Sequence, residues 1–166
     1  MTRAEVERVL NPRGSRYRHV DRAVNLAMRY GWTVMPGRLE RACANHQTRT
    51  IHVPPVDNDV ALAVFAHEGG HLEDSGIYEE QDTVRYLADD GLTHVVVFAA
   101  EVFAWTFAID VLGFRWNKTM QAEMERCLWS YRSNWRHVQT PENRVAMEAL
   151  VAGGREKAAG VVRMHL

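Results

Sequence analysis

Ala66-His67-Glu68-Gly69-Gly70-His71 sets two imidazoles and a carboxylate within one helical turn, and the reading of the chain turns on it. Histidines four apart on a helix share a face, with Cβ atoms about 5 to 6 Å apart, so both rings can reach one zinc ion at about 2.0 to 2.1 Å. Glu68 then flanks the ion as a candidate general base. A catalytic zinc takes three protein ligands and keeps one position open, so the chain must bring a further ligand from elsewhere.

Immediately upstream, Asp57, Asn58 and Asp59 offer a helix cap, and Val60, Leu62, Ala63, Val64 and Phe65 lead into His67. The motif is therefore predicted to lie on a helix, ending near Asp74-Ser75-Gly76. Gly69 and Gly70 each cost about 1 kcal/mol against alanine inside a helix. Their presence predicts either a close approach at that turn or local fraying.

Several carboxylates compete for the third position. Asp74 lies on the motif's own face but, on an unbroken helix, points along the axis. Asp74 and Ile77 also stand where a metzincin continuation needs Gly and His or Asp. Glu79, Glu80 and Asp82 belong to a polar, solvated stretch. Glu101 differs, because it stands among Phe98, Ala99, Ala100, Val102 and Phe103. A carboxylate facing a core there must be neutralised, paired or metal bound; the alternative is an ordinary exposed Glu. His94 shares its helical face and reads as a cap or supporting group.

Farther out, a helix capped by Ser15 is predicted from Tyr17 to Tyr30, stopped at Gly31. Two β-branched runs, Trp32–Met35 and Arg49–Val53, predict short strands, the second ended by Pro54-Pro55. Downstream come a polar helix over about Tyr78–Ala88, a long apolar helix over about Thr93–Leu112 stopped at Gly113, and a helix over Asn117–Arg132. A final helix opens at Thr140-Pro141-Glu142 and ends at Gly153-Gly154. Trp105, Trp116, Trp129 and Trp135 read as core fillers.

The 166 residues, 46% hydrophobic and 25% charged, suit one globular domain and exclude disordered and fibrous classes. Val95–Phe114 is long enough to span a membrane, but Glu101 near its centre would cost about 2.5 to 3.5 kcal/mol there, favouring a buried core helix. Cys43 and Cys127 are far apart with no CxxC, and no secretory h-region opens the chain, so a reducing cytoplasm is expected. Net charge is −1 but segregated: +5 over residues 1–58, −10 over 59–110 and +4 over 111–166. The acidic block carries the histidine motif, and no Lys/Arg run is dense enough to predict direct nucleic-acid binding.

Glu101, Ala104, Phe107 and Ala108 also form an ExxAxxFA string. With Thr50-Ile-His-Val-Pro54 and His67-Glu-Gly-Gly-His71, it resembles the ImmA/IrrE family of zinc metallopeptidases over roughly residues 17–112. Gly70 matches the family's usual glycine, whereas Gly69 replaces an apolar residue and Trp105 a common Asn. The resemblance implies zinc held by His67, His71 and Glu101, with Glu68 as catalytic base assisting attack of zinc-bound water on a peptide carbonyl. Tyr78, Tyr86 and His94 are candidates for stabilising the oxyanion.

The expectations are then specific. The fold is α+β, a mostly helical zincin-like domain spanning residues 1–166, with a small early sheet beside the motif helix and C-terminal helices over 113–166. Its activity would be zinc-dependent endopeptidase cleavage of a protein or peptide, which the resemblance narrows to a regulatory protein, typically a DNA-binding repressor. The competing reading is a non-catalytic, zinc-stabilised interaction protein that binds such a partner. Retention of Glu68 argues against it, since a structural site needs no base there.

Overall fold

Thr2 opens the first helix, α1 (Arg3–Leu10), through a reciprocal cap: the Glu5 N–H donates to Thr2 Oγ1 (3.3 Å) and the Thr2 N–H to Glu5 Oε2 (2.7 Å). The computed structural model describes residues 1–37, 42–73 and 90–131, with side chains undescribed at 90–99 and 129–131. The helices expected over Tyr78–Ala88 and after Thr140 lie outside the described residues, as do Asp74, Glu79, Glu80 and Asp82.

Helix α2 (Val20–Tyr30) ends at Gly31, whose φ of 67° is the left-handed cap expected there. Its start corrects the sequence reading, since the helix begins at Val20 and not after Ser15. Ser15 instead closes a turn, accepting from the Tyr17 N–H at 3.1 Å and donating its own N–H to Asn11 Oδ1 at 2.5 Å. Helix α1 buries Val6 and Leu10 against the core and is tied to α2 by Arg3, which reaches Asp21 and Asn25.

Three strands follow: β1 (Thr33–Pro36), β2 (Cys43–Asn45) and β3 (Thr50–Val53), in the order β1-β3-β2. β1 runs parallel to β3, and β2 pairs with it antiparallel. Sequence periodicity missed β2 because three residues are too few to alternate visibly. Central β3 buries Ile51 and Val53 almost completely.

Asn58 Oδ1 accepts from the Ala61 N–H at 2.9 Å and starts the motif helix, α3 (Asp59–Glu73). This helix is buried nearly all round, from Leu62 through Phe65 and His67 to Leu72, because α2, the sheet, α4 and α5 all pack on it. Its end is fastened from outside. Glu73 Oε1 accepts from Trp32 Nε1 (2.9 Å) and from the Arg49 guanidinium (2.6 Å), and Arg49 also donates to the carbonyls of Leu72 and Tyr30. Helix α4 (Asp90–Leu112) runs into a short 3-10 turn, and α5 (Lys118–Tyr131) is capped by Asn117. The described chain is thus α+β, and no helix among the described residues is long and apolar enough to cross a membrane.

Asp59 joins three segments, accepting from Tyr17 O–H (2.6 Å) and from Asn117 Nδ2 (2.7 Å). The Tyr17 hydrogen bond, helped by Asn117, holds its carboxyl below the usual range against the opposing effect of burial. A depressed carboxylate adds stability that is present above its unfolded pKa and lost as pH falls through the folded value. Tyr17→Phe is therefore expected to cost about 1.5 kcal/mol at pH 7, with the gap to the parent closing below about pH 4, in urea unfolding across a pH series.

Candidate metal centre

The motif histidines project from α3 toward α4, where Glu101 meets them. His67 Nε2 lies 3.3 Å from Glu101 Oε2, His71 Nε2 lies 3.5 Å from Glu101 Oε1, and the two Nε2 atoms are 3.1 Å apart. Four ligands at about 2.05 Å around a tetrahedral zinc stand about 3.3 Å apart along each edge. The His67–His71 separation and the approach of Glu101 Oε2 to His67 lie close to that edge length, while His71 faces the other carboxylate oxygen, so the three residues could hold one small divalent cation. All three side chains are at least five-sixths buried, and among the described residues they form a cluster able to hold a metal ion.

What lets α3 and α4 come this close is Gly70. A Cβ there would stand 2.7 Å from Ala104 Cα and 2.8 Å from the Ala104 carbonyl oxygen, so the two backbones are nearly in contact. The close-approach reading of the paired glycines therefore holds at both positions, for different partners. At Gly69 the space is taken by the Trp32 indole, 2.1 Å from where a Cβ would lie.

The ExxAxxFA string gains a physical meaning from the same crossing. Glu101 reaches the histidines and Ala104 faces Gly70 one turn later. Phe107, a further turn on, packs edge-on to Tyr30 and against Trp32, and Ala108 is fully buried. Residues three or four apart share a helical face, and this face is the one α4 turns to α3 and its anchoring tryptophan.

Trp105 lies on His67, ring centroids 4.2 Å apart and planes tilted by 30°. A metal ligand's second nitrogen usually donates to a carboxylate or carbonyl. Here His67 Nδ1 finds no hydrogen-bonding partner among the described residues, and the indole face steadies the ring instead. Trp105 is the core filler expected from sequence, only 1% exposed, and it also touches a candidate ligand.

Burial holds His67 below the usual histidine range, outweighing the pull of Glu101. Burial works against ionised Glu101, but hydrogen bonds from His67 and His71 overcome it and keep the carboxyl well below the usual range. A neutral His67 beside an ionised Glu101 is the protonation state that metal ligation needs of these two groups. Half-buried Glu68 follows the opposite course. Burial pushes its carboxyl up to about 7, with Glu101 adding to the rise while His71 and the Ala44 backbone on β2 oppose it.

The structure thus brings His67, His71 and Glu101 together, with Glu68 at the rim next to the edge strand. Tyr78 and Tyr86 lie outside the described residues, as does the side chain of His94. No protein-family model, curated protein or solved structure matches this chain.

Proposed function

We propose that this chain is a zinc-dependent endopeptidase of zincin-like fold and ImmA/IrrE type, cleaving a regulatory protein of the DNA-binding repressor kind. One observation carries the reading: three metal-ligating side chains from two distant helices converge with donor separations of 3.1, 3.3 and 3.5 Å. His67, His71 and Glu101 would hold the ion. Bound zinc supplies Lewis acidity, acidifying water towards a pKa of about 7 and polarising a substrate carbonyl.

Glu68 does the proton work. Ionised, its carboxylate would take a proton from the attacking water and return it to the departing amine. Strand β2 lies at the edge of the sheet, next to Glu68 through Ala44. An extended substrate can pair along such an edge, which would set a peptide beside the base.

Elemental analysis tests the centre. The purified parent is expected to carry about one zinc per chain, and Glu101→Ala to lose it. Full occupancy in that variant would remove Glu101 from the ligand set and turn attention to Asp74 or His94.

A further inference from the structure

At the other end of α3, His19 precedes α2 and is only 9% exposed. Both ring nitrogens face arginines: Arg115 Nη1 lies 2.6 Å from Nδ1, and Arg18 Nε lies 3.0 Å from Nε2. A neutral imidazole offers one lone pair, and a protonated one offers none. Two guanidinium donors therefore share at most one acceptor, and the cluster is short of at least one.

Among the described residues no carboxylate hydrogen-bonds to Arg18, Arg22 or Arg115 or lies within ion-pair distance of them, and Asp59 acts on His19 and Arg18 only through space. The oxygens of Asp59 are engaged by Tyr17 and Asn117. The Arg22 guanidinium donates to the Val111 carbonyl, while the Nε atoms of Arg22 and Arg115 are buried without a hydrogen-bonding partner. Helix α2 opens here with His19 as its N-cap, and the Val20 and Arg22 N–H groups donate to the Tyr17 and His19 carbonyls.

We infer that Arg18, His19 and Arg115 form a binding site for an oxyanion, with α2 opening beside it. A carboxylate or phosphate group provides acceptors without donors, which is what the cluster lacks, and guanidinium forks match both. Arg18 is exposed, so the cluster can be reached from solvent, whereas His19 is buried. Burial, with Arg115 and Arg18 reinforcing it, holds His19 below the usual range, so the ring stays neutral and the guanidiniums supply the charge. The inference does not rest on the metal centre.

Nuclear magnetic resonance of the arginine Nε–H and histidine ring signals tests it, titrating inorganic phosphate and, separately, acetate at constant ionic strength. The expected result is saturable movement of the Arg18, Arg115 and His19 signals, weakened about tenfold by Arg18→Gln. Arg18 is exposed, so the variant should fold and keep its zinc. Tighter binding of phosphate assigns the site to phosphorylated ligands, and tighter binding of acetate assigns it to carboxylates of peptides. Shifts that never saturate, that match in parent and variant, or that appear only at His67 and His71 would overturn the inference. Because the readout sits on the arginines, it is decided separately from any failure of the peptidase reading.

Discussion

Replacing Glu68 by Gln is expected to leave the zinc content unchanged and to lower peptide cleavage by about 10²- to 10⁴-fold, the usual contribution of a positioned acid–base group. The amide keeps the shape of the side chain but cannot accept the water proton. Glu68 lies outside the triangle of His67, His71 and Glu101, so the ion should remain. Mass-spectrometric hydrolysis of a pool of unstructured peptides, run beside elemental analysis, reads both quantities on one sample. Unchanged cleavage would remove Glu68 from the chemistry. If parent and variant are both inert yet retain zinc and the same biological effect, the non-catalytic interaction protein becomes the better reading. Loss of zinc in the variant would make Glu68 a ligand and require a different base.

The second large effect is expected at Gly70. Alanine there gains about 1 kcal/mol of helix propensity, yet its Cβ meets the Ala104 backbone at 2.7 Å. Backbone cannot swing aside as a side-chain tip can, so α3 and α4 must separate. Overpacking of this kind costs about 1 to 3 kcal/mol, and a net loss of stability is expected in urea unfolding. The more telling loss is at the metal. Glu101 sits one turn from Ala104, so moving α4 outward moves the carboxylate off the histidines. Zinc affinity should therefore fall even in the folded fraction. Gly69→Ala collides with the Trp32 ring instead, and combining it with Trp32→Leu should recover part of the lost stability. No side-chain trimming should rescue position 70. A Gly70→Ala protein with parental stability and zinc content would show that the helix crossing does not depend on bare backbone contact.

Much of the local structure was legible from local chemistry. Asn58, Gly31, Gly113 and Asn117 mark helix ends in sequence and do so in the structure, because caps are decided by a few neighbouring atoms. The capping box of α1 at Thr2 and Glu5 is a weak signal in sequence because no long apolar repeat follows it. The expected start of α2 at Ser15 failed for a tertiary reason. The Tyr17 hydroxyl is drawn to Asp59, forty-two residues away, and His19 is held between two arginines, so the chain turns before the helix begins.

The sequence alone determined that two imidazoles share one turn and that a lone carboxylate sits within an apolar helix, since both are matters of helical period and side-chain polarity. It also required an explanation for two glycines in the middle of a helix. Only the tertiary structure decided that Glu101 meets His67 and His71, that an indole supports one of those rings, and that arginines gather at His19. The physical reason is that helix crossings depend on where side chains are absent as much as on where they are present. A missing Cβ at Gly70 has its effect only when Ala104, far along the chain, packs into the gap.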